Sequence, residues 1–129
     1  MENPRFEGLL TRFQEPVPGL ARAARALILD VMPAVVEVVW DRQGTVGYGT
    51  GPKKNSEHFC YLALHPRWLN LGFNYGSELP DPEGVLEGSG ALFRHVRLQR
   101  PEDLERPAIR ALVEVASTHR VPPLVTPPR

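Results

Sequence analysis

The side chains best suited to chemistry in this 129-residue chain are four histidines, one cysteine and a scatter of carboxylates. Glu57, His58 and Cys60 lie close together, and His65 and His95 fall on neighbouring runs. A zinc site needs three or four ligands converging at about 2.0–2.3 Å. Side chains alternate along a strand, which sends His58 and Cys60 one way and His65 and His95 the other. That set does not converge. An oxygen-rich iron site would instead draw on Glu37, Asp41 and His95; ordinary edge charges explain the same residues. A small hydrolase or transferase would centre on Asp81, Arg94 and His95. The same Asp81 can cap its own turn, with Arg94 tying down the glycine-rich loop. Cys60 reads as a buried, inert thiol. Ser77 and Ser89 lie outside any G-x-S-x-G elbow. The chain is therefore not expected to be an enzyme.

Two glycine clusters invite a phosphate reading. Gly47, Gly49 and Gly51 precede Lys53 and Lys54, but Pro52 interrupts them and no Gly-Lys-Ser/Thr opens a helix. Gly84, Gly88 and Gly90 precede a strand, so no helix N-terminus waits for an anion. The first cluster reads as a solvated strand and loop, and the second as a shaped loop with positive-φ residues.

Composition narrows the class. The length suits one domain, expected over residues 1–120, with a Pro-rich extended tail over 121–129. Net charge is +0, whereas nucleic-acid binders usually carry a basic excess, so no nucleic-acid partner is expected. No apolar run approaches the ~20 residues that span a bilayer, and the start lacks a secretion signal. A single cysteine allows no internal disulfide, which fits a reducing cytoplasm.

Several elements must position these residues. Phe6, Leu9, Leu10 and Phe13 have the spacing of one short amphipathic helix. Leu20, Ala24, Leu27, Ile28 and Val31 predict a helix over about residues 18–32, ended by Pro33. Strands are predicted over about residues 35–41, 45–50, 58–64, 68–75 and 93–98. Pro107 then starts a final helix that buries Ile109, Leu112, Val113 and Ala116. The fold class is α+β: about five antiparallel strands packed against N- and C-terminal helices.

Strand parity divides the sheet. With Pro66-Arg67 as a hairpin corner, Phe59, Tyr61, Ala63 and His65 share a face with Trp68, Asn70, Gly72 and Asn74. His58, Cys60, Leu62, Leu64, Leu69, Leu71, Phe73 and Tyr75 take the other face, which is the core. Tyr61 can then lie over the bare backbone of Gly72. In the first strand Val36, Val38 and Trp40 are expected inward, with Glu37 and Asp41 outward. In the last, Val96 and Leu98 point inward, and Phe93, His95 and Arg97 outward.

The helices have apolar stripes enough for one face, so the other is expected to be open and to hold a small ligand or a protein partner. Phe59, Tyr61 and Trp68 would supply contact area; Asn70, Asn74 and His95 would supply hydrogen bonds, with Asp81 and Arg94 counted among the contacts. Alternatively the N-terminal segment covers that face, or a second copy does, as a homodimer.

The residues also carry a family likeness. Leu71-Gly72-Phe73, Leu79-Pro80-Asp81-Pro82, Leu86-Glu87-Gly88-Ser89-Gly90 and Arg94-His95-Val96 resemble, in order and spacing, the hallmark pattern of the YdhG-like family, a domain family of largely unknown function. The likeness covers roughly residues 19–116. It implies an α+β fold, often compared with frataxin, in which a small antiparallel sheet packs against terminal helices. Some members are described as frataxin-like iron chaperones that deliver iron to iron–sulfur cluster assembly. The resemblance thus implies an iron-binding cytosolic protein, with Gly72, Asp81, Gly88, Gly90, Arg94 and His95 at hallmark positions.

Overall fold

Proline starts the helices, and aliphatic spacing chooses the side each one buries. The first helix, α1 (Pro4–Leu10), opens at Asn3, whose side chain accepts from the Arg5 and Phe6 N–H groups. It buries Phe6, Leu9 and Leu10. Helix α2 (Val17–Val31) carries Pro18 in its first turn, where the missing N–H costs nothing. It buries Val17, Leu20, Ala21, Ala24 and Ile28. Near the end, α3 (Pro101–Leu104) is a single turn, and α4 (Pro107–Ala116) buries Ile109, Leu112, Val113 and Ala116. The computed structural model describes residues 2–124; of the expected tail, 125–129 lie outside the described residues. No helix among the described residues is long and apolar enough to cross a membrane.

The strands are β1 (Val36–Trp40), β2 (Thr45–Gly49), β3 (His58–Leu64), β4 (Leu69–Phe73) and β5 (Arg94–Leu98). They pair antiparallel in sequence order, an α+β meander as expected. The register sets Val39 against Val46, Val46 against Leu62, Leu62 against Leu71 and Leu71 against Val96. This row lies under the helices, and its neighbours Tyr48, Cys60, Leu64, Leu69, Phe73 and Leu98 are buried with it. The N-terminal segment joins the same layer: α1 packs beside α2 and β1. It therefore does not cap the opposite face.

Two side-chain directions differ from the expectation. In β1 the parity is reversed: Val39 faces the helices together with Glu37, while Val36, Val38 and Trp40 face away. Apolar residues stand at both parities of that strand, so alternation alone could not choose. A buried ion pair between Glu37 and Arg25 turns the strand. At the start of β3, the pairing shifts, so that Tyr48 opposes Cys60 but Gly49 opposes His58. Phe59 is the extra residue of a β-bulge, which puts it on the same side as Cys60. Phe59 is accordingly buried, bordering the same small gap as Leu79, Ala116 and His119, and His58 goes to the open side.

The bulge is tight. A Cβ at Gly49 would stand 1.8 Å from the Glu57 carbonyl oxygen, so backbone would have to move. We expect Gly49→Ala to cost about 2–3 kcal/mol in urea unfolding. Gly8→Ala is the contrasting case: no atom lies within 4 Å of an added Cβ, and the position is helical. That change should stabilise the protein by up to about 1 kcal/mol. Equal effects at the two glycines would contradict the packing described.

Strand β1 is one edge of the sheet, and two arginines reach it. Arg5 donates to the Val39 carbonyl at 3.3 Å and pairs with the Asp41 carboxylate at 3.2 Å. Arg12 donates to the Asp41 carbonyl.

Candidate functional site

The face turned away from the helices is floored by glycine. Gly47, Tyr61 and Gly72 stand in one row across β2, β3 and β4. Rings lean over the bare positions from both sides. A Cβ at Gly47 would lie 2.6 Å from both Trp40 and His58, whose rings are 5.5 Å apart. A Cβ at Gly72 would lie 1.9 Å from Tyr61 Cζ, so Tyr61 covers Gly72 as expected. The two groups of rings lean apart and leave a cleft of about 160 Å³ between them. Phe93, 44% exposed, forms its lip, with its ring 6.0 Å from that of Tyr61. Thr45, Asn74 and Lys54 complete the lining.

The polar atoms of this lining are under-satisfied. Asn74 donates Nδ2 to the Lys54 carbonyl at 3.3 Å, and its Oδ1 has no partner. His58 Nε2 and Thr45 Oγ1 are also buried without a partner. Each such atom costs roughly 1–3 kcal/mol unless something pairs with it. His58 is 1% exposed. Burial pushes its pKa below the usual histidine value, against the pull of a Gly51 backbone hydrogen bond and the Glu57 charge. The ring is therefore neutral near neutral pH. Burial also raises the Tyr61 phenol, which stays protonated.

The only charge in the lining is Lys54, whose Nζ lies 5.2 Å from the Trp40 ring centroid. Among the described residues it makes no ion pair. The nearest acid in sequence, Glu57, accepts from the Lys53 N–H at 2.9 Å.

Of the expected contact residues, Tyr61 and Asn74 line the cleft. Trp68 and Asn70 share the face but form a separate cluster further along. Trp68 stacks on His65 at 4.7 Å and lies under the Arg97 guanidinium at 4.1 Å, while Asn70 contacts His65 at 3.4 Å. His95 opposes Gly72 on the open face, and its backbone bridges Glu87. Phe59 is withdrawn from the set, because the bulge turns it inward. Asp81 and Arg94 hold loops. The Asp81 carboxylate accepts from the Val85 and Leu86 N–H groups at 2.9 and 3.0 Å. Arg94 donates to the carbonyls of Gly90 and Phe93. No hydrogen bond among the described residues joins Asp81, Arg94 and His95 into a reacting group.

The structure does not bring the expected iron residues Glu37, Asp41 and His95 together. Glu37 faces the helices with a side chain only 1% exposed. It accepts from Arg25 at 2.7 and 3.0 Å, from the Tyr48 hydroxyl at 2.6 Å and from Asn3 at 2.8 Å. Those donors hold its pKa below the usual glutamate value despite burial. Asp41 pairs with Arg5, and His95 lies on the opposite edge strand. Among the described residues no group of three or more His, Cys, Asp or Glu side chains could hold a metal ion.

The sequence reading left Trp40, Thr45, Gly47, Lys54, His58 and Phe93 out of the site. Gly47 was the available signal. A bare position inside a strand invites a ring to cover it, as Gly72 does with Tyr61. No family model matches the chain, and neither a curated protein nor a solved structure does.

Proposed function

We propose that this protein is a non-catalytic binding module whose cleft between Trp40 and Tyr61 holds a small planar ligand. The observation that carries the reading is an aromatic-walled cleft whose lining residues Thr45, His58 and Asn74 each keep one buried side-chain atom without a partner behind the wall. Flat apolar walls with a few fixed polar atoms are what small-molecule sites are made of. The volume of about 160 Å³ falls below the ~300–1,000 Å³ of drug-sized sites, which favours one ring or a fused pair.

Binding is favoured over catalysis by the lining itself. It contains no carboxylate and no thiol. Cys60 lies on the helix side, fully buried, and burial pushes its pKa far up. The single thiol suits the reducing cytosol, which we take as the compartment. The resemblance to the YdhG-like family is compatible with a binding role. Among the described residues no ligand set for its iron-carrier branch is assembled.

Ligand-observed NMR with a library of planar fragments tests the proposal. Hits should lose affinity about tenfold or more in Trp40→Ala and in Phe93→Ala, and keep it in Trp68→Ala. An absence of hits, or hits indifferent to Trp40 and Phe93, would overturn it.

A further inference from the structure

The open face beyond the cleft narrows the class of the planar ligand, on the reading that the cleft is a ligand site. We infer that the occupant is a short single strand of nucleic acid, with one base in the cleft between Trp40 and Tyr61 and the backbone running on toward Arg97.

Zero net charge argues against such a partner only if charge is spread evenly, and it is not. On the helix layer charges cancel in pairs, as Glu7 with Arg22 and Asp30 with Arg110. Among the described residues, no strand position that faces away from the helices holds an Asp or Glu, in a chain with 15 of them. That face carries Arg97, and Lys54 lines its cleft. Both are exposed, and among the described residues neither makes an ion pair. Glu87, an exposed carboxylate at the border, meets His95 through backbone alone and pairs with neither cation.

Rings and cations come in two stations. At the first, Tyr61 and the exposed Phe93 stand 6.0 Å apart, with Lys54 in the same lining. At the second, the His65 ring stacks on Trp68 from the β3 side and the Arg97 guanidinium lies over it from the β5 side. A base can extend that stack at either end, because bases stack on imidazole rings and guanidinium planes as well as on larger aromatics. From Tyr61 to His65 the rise along the strand direction is about 13 Å, so a strand of a few nucleotides reaches both stations. A ligand that fills the cleft alone leaves the second station unused. A single strand repeats ring and negative charge, and stacking rings beside cations are how proteins hold one. A duplex keeps its base faces stacked inside, and an acidic peptide has no rings to offer.

Fluorescence anisotropy of the full chain with end-labelled oligo-U and oligo-dT hexamers tests the inference. Binding is expected in the micromolar range at low salt. Bases and phosphodiesters are common to the two probes, so either order between them supports the inference and shows whether the 2′-hydroxyl is read. Phe93→Ala should weaken the hexamers about tenfold. Lys54→Met and Arg97→Ala should each make the slope of log affinity against log salt shallower by about 0.7, the value for one phosphate contact on a single strand. Arg22→Ala, on the helix layer, should change neither affinity nor slope.

Oligoglutamate, inorganic polyphosphate or a DNA duplex binding as tightly as the hexamers would overturn the assignment to a single strand. Hexamer binding that Arg22→Ala weakens as much as Arg97→Ala would overturn its place on the open face. If no hexamer binds while planar fragments do, the strand is refuted and the cleft reading survives. If neither binds, both fall.

Discussion

Glu37→Ala is expected to cost about 3–5 kcal/mol of unfolding free energy, the range for breaking a buried ion pair by removing one partner. Three donors from three elements converge on this carboxylate: Arg25 of α2, Tyr48 of β2 and Asn3 at the head of α1. Without it the Tyr48 hydroxyl, on a residue 0% exposed, loses its acceptor, and the head of α1 loses one of its ties to the sheet. Glu37→Gln keeps the shape and one acceptor oxygen and should cost less. Urea unfolding of the two variants decides the point; a loss below about 1 kcal/mol for Glu37→Ala would mean that the pair contributes little.

The same carboxylate sets an acid dependence. Its folded pKa lies below the ordinary glutamate value of 4.5, so between the two values the unfolded chain binds more protons. Its contribution is complete above 4.5 and is lost as pH falls through the lower, folded-state value. Glu37→Gln should therefore flatten the stability profile on the acid side of 4.5.

Gly72→Ala is expected to abolish ligand binding while leaving the fold in place. The new methyl takes the space of the Tyr61 ring, 1.9 Å from Cζ, and drives the ring toward Gly47 and into the cleft. The obstacle is the far end of a side chain rather than backbone, so the stability loss should stay within about 1–3 kcal/mol. Affinity for any planar ligand should fall about tenfold or more. Adding Tyr61→Ala removes the clash, and the double variant should recover most of the lost stability, a coupling that a thermodynamic cycle reads directly. If Gly72→Ala binds planar fragments as well as the parent, Tyr61 does not bound the site.

The interior of the fold was legible because its pattern is unambiguous. From Cys60 to Leu64 and from Leu69 to Phe73 the large aliphatic residues occupy one parity, and the register pairs them as expected. Proline marked the starts of α2 and α4 for the same reason: a fixed φ and a missing N–H are tolerated only in a first turn. The site was harder. In β1, Val36, Val38, Val39 and Trp40 are apolar at both parities, and the one polar residue, Glu37, is the one whose polarity misleads. Its inward direction depends on Arg25, twelve positions away. Likewise a one-residue bulge exchanges His58 and Phe59 between faces, and nothing within β3 announces it. Tyr61 and Gly72 escaped both effects, and they alone kept the predicted relation between ring and bare backbone.

The arginines that grip β1 also bear on how the protein keeps its own company. An outermost strand invites a second chain to zip alongside it. Arg5 and Arg12 occupy carbonyls at that rim and set long charged side chains beside it, which discourages an approaching copy from extending the ladder there. Self-association through this border is therefore disfavoured, and helix α1 serves as its guard rail.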